Sequence, residues 1–207
     1  RKYSKDKLLG GYQVSEWGAG LSVCAHILKV EHCAFSPDGS LLATCGFDYV
    51  CKVWDVRTGE CKFGLQKDTS FKYVAFSPCG TRLATCSGGY CFIWDVSTGE
   101  YLFELDAGTT CSYSPDGSLI AAGSYDGDVY LYNATSGESL AKLSGHSNTI
   151  TRCEFSSDGT VLVTSAYEDY VCRVWDVCTR SCLHALSAHS SHVNHCTVSS
   201  DGSMIAT

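Results

Sequence analysis

The residues from Ser144 to Leu186, SGHSNTITRCEFSSDGTVLVTSAYEDYVCRVWDVCTRSCLHAL, contain the most complete copy of a unit that recurs along the chain. An apolar stretch ends at Phe155, a polar turn closes on Gly159, and a second apolar stretch precedes a tryptophan–aspartate pair that begins at Trp175. Short alternating strands punctuated by turns of this kind predict β-hairpins joined one after another. The equivalent turn glycines lie 41, 37, 42 and 43 residues apart, and they are Gly39, Gly80, Gly117, Gly159 and Gly202.

A period of this length, with a Gly-His opening and a Trp-Asp close, is typical of propeller blades built from four strands. Trp-Asp pairs close three copies, at Trp54, Trp94 and Trp175, and Tyr132 holds the same position in the third copy. Over residues 24–207 the chain therefore resembles the WD40 family. The resemblance implies an all-β, WD40-type β-propeller fragment with about four complete four-stranded blades and the start of a fifth.

The repeats divide the chain into one segment outside the pattern and five units. Because propellers of this kind close with about four to eight blades, we expect a fragment of a longer protein that forms an open arc. Such an arc would leave strand edges free to pair with another chain. The segment outside the pattern is 1–20, and the units are 21–65, 66–105, 106–143, 144–186 and 187–207.

Composition narrows the range of partners. The net charge of −7 and the pI of 5.4 leave no broad basic surface for nucleic acid or anionic lipid. No apolar run approaches the roughly 18 residues that a membrane span needs. We therefore expect protein or peptide partners, no nucleic acid, no membrane and no cofactor.

The chain has fourteen cysteines, which at first suggest a disulfide or zinc framework. Aligning the repeats shows that many of them occupy positions where another copy has valine, such as Val74 and Val129. Cysteines that exchange with valine are expected to pack as small buried hydrophobic residues, and unpaired thiols suit a reducing cytoplasmic location, with the nucleus as the alternative. The position of Val74 holds Cys33, Cys111, Cys153 and Cys196 in other copies, the position of Val129 holds Cys51, Cys91 and Cys172, and Cys61 and Cys182 share a third position.

The resemblance also implies a buried hydrogen-bonded set in each complete blade, made of a histidine, a strand threonine, a loop aspartate and the closing tryptophan. The residues next to the threonines, Cys45 and Ser165, are alternatives to them. The second copy has Lys67 in place of the histidine and glycines in place of the aspartate. The third copy keeps the loop aspartate, Asp126, but has too few residues before Cys111 for a normal opening loop, so blades 2 and 3 are expected to be softer. The two sets are His26, Thr44, Asp48 and Trp54, and His146, Thr164, Asp169 and Trp175.

A hydroxyl, a histidine and an aspartate invite a hydrolase interpretation, but a catalytic hydroxyl needs access to substrate, a base and an oxyanion hole. Inside a blade the same groups satisfy one another, so we expect a structural role. Two clusters suggest a metal site, yet three-residue spacing on a strand directs side chains to opposite faces, and we expect no metal there. They are His189, His192 and His195, and Cys24, His26, His32 and Cys33.

Propellers of this family bind partners on the face formed by loops between blades and loops after the second strands. The resemblance places candidate partner contacts five residues after each histidine position and directly before each loop aspartate. It favours a non-enzymatic protein–protein interaction scaffold, with a substrate-recognition subunit of a ubiquitin ligase and a metal- or thiol-dependent enzyme as alternatives. The candidates are Glu31, Lys72, Thr151 and Asn194 at the first position, and Phe47, Tyr125 and Glu168 at the second.

Overall fold

The structure is a computed structural model that describes residues 26–187, 189–191, 193 and 195–207. It contains eighteen β-strands, and none of the described residues lies in an α-helix. Over the same ranges there is no helix with the length and apolar character that crossing a membrane requires. The all-β prediction is confirmed.

Four sheets of four strands follow one another along the chain, and we call them blades 1 to 4. Blade 1 contains β1 (Val30–Phe35), β2 (Leu41–Gly46), β3 (Val50–Asp55) and β4 (Cys61–Gln66). Blade 2 contains β5 (Phe71–Phe76), β6 (Arg82–Ser87), β7 (Tyr90–Asp95) and β8 (Tyr101–Leu105). Blade 3 contains β9 (Cys111–Tyr113), β10 (Leu119–Gly123), β11 (Val129–Asn133) and β12 (Ser139–Leu143). Blade 4 contains β13 (Ile150–Phe155), β14 (Val161–Ala166), β15 (Cys172–Asp176) and β16 (Cys182–Leu186), and β17 (Thr197–Val198) pairs with β18 (Ile205–Ala206) after it.

Each blade is an antiparallel meander whose register is set by the closing aromatic residue. Trp54 pairs with Leu42, Trp94 with Leu83 and Trp175 with Leu162 across the second and third strands. The register shifts at that aromatic residue where the third strand meets the fourth, in all four blades. A bulge at this point bends the strand and increases its twist, so the repeat in sequence produces the same bend in every blade.

In blades 1, 3 and 4 the turns between first and second strands repeat a hydrogen-bonding pattern around an aspartate. In blade 1 the Asp38 carboxylate accepts hydrogen bonds from the Ser36 hydroxyl at 2.6 Å and the Ser40 amide at 3.1 Å. Gly39 follows with φ of 70°, in the left-handed region that glycine adopts without a steric cost. Turns of this kind fix the length of each hairpin and hence the faces on which its side chains lie.

The core lies between the blades. The second strands are buried along nearly their whole length, while the fourth strands of blades 1 and 4 are largely exposed at the outer edges. No strand pairing in the described part of the chain joins the last strands to blade 1, so the blades form an unclosed arc. This confirms the predicted propeller fragment.

Burial corrects part of the expectation for the cysteines. Cys111, Cys153 and Cys196 are buried between blades as expected, but Cys33 at the equivalent position of blade 1 is exposed. No described strand covers that face of β1, which explains the difference. Exchange of Cys33 with valine therefore does not by itself indicate burial. Cys61 and Cys182 are also exposed, because they lie on outer strands.

The third repeat is shorter than the others, and the structure shows how the chain accommodates this. Its first strand, β9, has only three residues. The short loop before it crosses directly over blade 2, where a Cβ at Gly108 would come within 2.1 Å of the Tyr90 carbonyl carbon. Only glycine fits at this close approach of two backbones.

Candidate functional site

Blades 1 and 4 each contain a complete buried set of four side chains. In blade 1, His26 Nδ1 lies 2.7 Å from Asp48 Oδ1 and His26 Nε2 lies 2.9 Å from Thr44 Oγ1. Trp54 Nε1 donates to the same Thr44 hydroxyl oxygen at 2.9 Å. Strands β2 and β3 and the loop that carries His26 therefore meet at one hydroxyl group, and the loop that carries Asp48 is joined to it through His26.

Blade 4 repeats this geometry. His146 Nε2 lies 2.8 Å from Thr164 Oγ1, and Trp175 Nε1 donates to that oxygen at 2.8 Å. His146 Nδ1 hydrogen-bonds to Asp169 Oδ2. The structure thus brings together both sets of residues selected from the sequence.

Donor counting fixes the direction of these bonds. The threonine hydroxyl accepts from the indole N–H, and its own buried hydrogen finds an acceptor if histidine Nε2 is the unprotonated ring nitrogen, which assigns the tautomer. Nδ1–H is then left to donate to the aspartate carboxylate. A neutral imidazole agrees with the lowered pKa of His146, which results mainly from burial against an opposing contribution from Asp169.

This arrangement is unsuited to hydrolysis. The hydroxyls of Thr44 and Thr164 are buried, and each is already held by both an indole and an imidazole. A nucleophile needs an open path to substrate, which these hydroxyls lack. What the set can do is hold the loops at one end of a blade to its strands.

Blade 2 keeps only part of the set. Trp94 Nε1 donates to Thr85 Oγ1 at 2.8 Å, as in the complete blades. Lys67, at the histidine position, places its Nζ 3.7 Å from the centroid of the Phe92 ring and 4.9 Å from that of Tyr101. A cation held over aromatic rings therefore replaces the histidine–aspartate pair.

Blade 3 has neither the threonine nor the tryptophan of the set, since Ala122 and Tyr132 occupy those two positions. The predicted loop aspartate, Asp126, is exposed and hydrogen-bonds to Ser124. Instead Asp128 pairs with Lys142 at 2.5 Å. The loop therefore depends on a salt bridge at the surface of the blade.

The histidine cluster of the fifth repeat shows the start of the same set. His189 Nε2 lies 2.5 Å from Thr207 Oγ1, the pair equivalent to His26 and Thr44. His195 is exposed. Some residues for which predictions were made from the sequence lie outside the described residues, namely 1–20, Cys24, His192 and Asn194.

Two of the candidate partner-binding residues contact each other. Phe47 is 37% exposed, and Lys72 of the next blade holds its Nζ 5.0 Å from the centroid of the Phe47 ring. Lys29 approaches the same ring at 5.6 Å and pairs with Glu31 at 2.9 Å. Three candidates, Phe47, Lys72 and Glu31, thus form one surface patch with Lys29.

Tyr125 is 56% exposed, and its position is fixed by the neighbouring blade. Its ring lies over Gly89, where a Cβ would come within 3.1 Å of the ring. Its backbone carbonyl accepts a hydrogen bond from Thr149 Oγ1 at 3.1 Å. The glycines that replace the loop aspartate of blade 2 therefore make room for this tyrosine.

The remaining candidates differ in how free they are to meet a partner. Thr151 is half-buried, and its hydroxyl lies 3.0 Å from Ser165 Oγ and 3.1 Å from the Val193 carbonyl oxygen. Glu168 is exposed at a loop tip with φ of 58°. Sequence reasoning missed Tyr49, which is exposed one residue after Asp48, and aromatic residues flanking the loop aspartates were the available signal.

The inner strands converge near the centre of the arc. His32 stacks on Tyr73 with ring centroids 3.9 Å apart, and the Arg152 guanidinium lies 5.2 Å from the same tyrosine ring. Burial, with a contribution from the positive charge of Arg152, lowers the pKa of His32 to about 4. His32 is therefore a neutral packing residue, while His26 in the same sequence cluster is held by Asp48.

Comparison with known proteins agrees with this architecture. A family model described as "WD domain, G-beta repeat" matches residues 21–55, 60–95, 106–133, 137–176 and 180–207. Over 190 residues the chain is 32% identical to apoptotic protease-activating factor 1 of Danio rerio, which covers 84% of this chain and 14% of that protein.

Shorter matches involve other WD-repeat proteins. Over 72 residues, 33% of this chain and 11% of the relative, it is 42% identical to echinoderm microtubule-associated protein-like 2 of Rattus norvegicus. Over 56 residues, 27% of this chain and 16% of the relative, it is 45% identical to the U5 small nuclear ribonucleoprotein 40 kDa protein of Homo sapiens. The matched part of this chain thus spans less than a fifth of each relative. With repeats matched along most of its length and Thr–Trp hydrogen bonds in three of its blades, the chain belongs to the WD40 family.

Proposed function

We propose that the chain is a non-enzymatic scaffold that binds peptide or protein partners on the face carrying Phe47 and Tyr125. WD40 repeats generally serve protein interaction, and the threonine and histidine side chains that resemble a hydrolase set are enclosed in blades 1 and 4. The observation that carries the proposal is the exposed aromatic residue Phe47 beside the cationic Lys72.

The chemistry of this patch indicates what a partner would offer. Exposed aromatic residues provide large contact area at a small entropic cost and are enriched among the residues that dominate binding energy. Lys29 already pairs with Glu31, whereas Lys72 has no carboxylate partner among the described residues. A segment with an apolar side chain for Phe47 and a carboxylate for Lys72 fits both groups.

The position of Tyr125 extends the patch along the arc. Phe47 belongs to the loop of blade 1 and Tyr125 to the equivalent loop of blade 3, with the glycine loop of blade 2 between them. Because the backbone hydrogen bond from Thr149 and the packing on Gly89 fix Tyr125, little ordering is needed on binding.

The experiment selects random peptides displayed on phage against the chain and measures the affinity of the selected peptides by fluorescence anisotropy. We expect the Phe47→Ala/Tyr125→Ala double variant to bind at least about tenfold more weakly, which corresponds to about 1.4 kcal/mol. Leu183→Ala is the matched control, because Leu183 is equally exposed but lies on the outer strand β16. Equal affinity of the double variant and the control would refute the proposed face.

The charge of Lys72 gives a second measurement on the same face. Lys72→Glu should weaken the binding of those selected peptides that are acidic, since two negative charges would then repel each other. Added salt should weaken their binding to the wild type and strengthen their binding to this variant. A role as the substrate-recognition subunit of a ubiquitin ligase stays a prediction, as do the cytoplasmic location and the pairing of open strand edges.

A further inference from the structure

The junction between blades 2 and 3 brings three buried sulfur atoms together. Cys86 on β6 and Cys91 on β7 are direct register partners, and Cys111 on β9 reaches them from the next blade. All three Sγ atoms lie within 4.8 Å of one another, and the residues are 0%, 0% and 1% exposed. Two adjacent blades therefore enclose a set of three soft donor atoms.

The other junctions show that packing does not require three sulfurs. Equivalent positions of the repeat meet between every pair of neighbouring blades, and each of the other junctions is filled by a different mixture of side chains. The first junction has Cys45, Cys51 and Val74, the third has Gly123, Val129 and Cys153, and the fourth has Ser165, Cys172 and Cys196. Only the second junction places a cysteine at all three positions.

The surroundings of this set select the kind of ion it would hold. Thiolate sulfur favours soft ions such as Cu(I), Zn(II) and iron–sulfur clusters. Structural zinc sites almost always have four ligands, and within the described residues no fourth cysteine, histidine, aspartate or glutamate joins the three sulfurs. Apolar side chains, among them Ile93 and Leu105, form the surrounding core.

We propose that Cys86, Cys91 and Cys111 form a three-coordinate binding site for a soft monovalent metal ion, Cu(I), between blades 2 and 3. Thiolate sulfur, and not thiol sulfur, binds metal ions, so coordination of one Cu⁺ by all three cysteines releases three protons and leaves a net charge of −2 on the site. Because charge in an apolar core is costly, the affinity for Cu(I) should rise as the pH rises and the thiols lose their protons more readily. The bound ion would tie two blades together, independently of the partner-binding face.

The local structure also provides a route of entry. Neither blade at this junction has the histidine–aspartate pair found in blades 1 and 4, and β9 contributes only three residues. Segments with few stabilising contacts open more readily than the rest of a fold. Cu(I) is therefore expected to enter slowly, by transient separation of these two blades.

The test measures transfer of Cu(I) from its bicinchoninate complex to the protein under anaerobic, reducing conditions, after exposed thiols have been blocked with iodoacetamide. Wild-type protein should take one equivalent, and copper K-edge absorption should show three sulfur neighbours. Cys86→Ser, Cys91→Val and Cys111→Val should each weaken binding at least tenfold. Each introduces the residue that an equivalent junction already contains, so the variants are expected to fold.

Cys172→Val is the matched control, because it removes a buried cysteine from the fourth junction, where only two sulfurs meet. This control should retain the copper affinity of the wild type within twofold. In the presence of Cu(I), the wild type should unfold at a higher temperature than each of the three site variants. The same affinity in wild type and all three site variants would overturn the site. Preferential binding of Zn(II) when both ions are supplied would overturn its assignment to Cu(I).

Discussion

Blade 4 and blade 2 have the same four-stranded meander and the same register at the closing tryptophan, but they hold their loops in different ways. Blade 4 uses a neutral histidine between Thr164 and Asp169, whereas blade 2 places Lys67 over a group of aromatic rings. The hydrogen bond from tryptophan to threonine is 2.8 Å in both. The hydrogen bond between threonine and tryptophan, which joins the second strand to the third, is therefore the part of the set that both blades share.

The difference shows which half of the set can be exchanged. The threonine–tryptophan bond lies inside the sheet, where an unpaired indole N–H would be costly, and it is kept in blades 1, 2 and 4. The histidine–aspartate half connects the sheet to loops, and another attraction can replace it. Of four experiments, those at Asp169 and Lys67 test this division directly, and those at His32 and Cys79 compare other contacts of the same blades; they are arranged by the size of the expected effect.

Asp169→Ala should give the largest loss, about 3 kcal/mol in the free energy of unfolding measured with urea, because it breaks a buried hydrogen-bonded network. The substitution leaves His146 Nδ1 without its acceptor. The measurement tests how much the histidine–aspartate half of the set contributes to the free energy of unfolding.

Asp126→Ala is the control for this measurement. Asp126 holds the equivalent loop position in blade 3, but it is exposed and hydrogen-bonds to the nearby Ser124 within its own loop. A surface change of this kind should alter the free energy of unfolding by less than about 0.5 kcal/mol. Equal losses for the two variants would contradict the importance of burial at Asp169.

Acid should act through the junction of blades 1 and 2, where His32 stacks on Tyr73. The folded pKa of His32 is lowered to about 4 from an ordinary value of 6.5, by burial and the nearby Arg152, with a smaller contribution from His195. Between these values the unfolded chain binds the proton more tightly, so stability is full above pH 6.5 and is lost as the pH falls towards 4. The loss from this group should reach up to about 3 kcal/mol near pH 4.

The measurement is urea unfolding of wild type and His32→Gln across this pH range, and the variant should show a flatter dependence. His146, whose pKa burial also lowers, contributes in the same direction and remains in both proteins. His184→Gln serves as the control because His184 is an exposed residue on β16. If His32→Gln and His184→Gln follow the same pH curve, His32 does not control the acid response.

Lys67→Met removes the charge over the aromatic rings of blade 2 but keeps a long apolar side chain. The expected loss is about 1 kcal/mol, the scale of a partly desolvated cation–π interaction. Lys67→Arg should retain most of this energy, since a guanidinium stacks on the same rings. If the methionine variant unfolds at the same urea concentration as wild type, the rings and not the charge hold this loop.

The repeat pattern predicted the fold because turn glycines and closing Trp-Asp pairs mark each blade. The two hydrogen-bonded sets could also be chosen from the sequence, since spacing from His146 to Thr164 and from Asp169 to Trp175 repeats that of blade 1. Local spacing is enough where one blade supplies all the residues.

Features that depend on two blades were harder to predict. The approach of Tyr125 to Gly89 and the meeting of Cys111 with Cys86 both join separate repeats, and no spacing within one repeat signals them. The exposure of Cys33 likewise depends on whether another blade covers it. The features that the sequence did not predict therefore depend on tertiary packing between repeats.

The smallest effect concerns the hairpin turns, where blade 2 differs from blade 4 by having Cys79 in place of an aspartate. Cys79 Sγ lies 3.4 Å from Ser77 Oγ and 3.0 Å from Thr81 Oγ1, and these hydroxyls lower the pKa of the thiol to about 7. In blade 4 the equivalent Asp158 carboxylate accepts a hydrogen bond from the Ser156 hydroxyl at 2.6 Å.

Cys79→Asp should therefore raise the free energy of unfolding by about 0.5 to 1 kcal/mol, the net scale of one hydrogen bond to such a group. Cys178→Asp adds the same charge to an exposed turn after β15 and should give no such gain. An equal gain in both variants, measured by urea unfolding, would show that charge alone and not the hydroxyl donors of this turn favours aspartate.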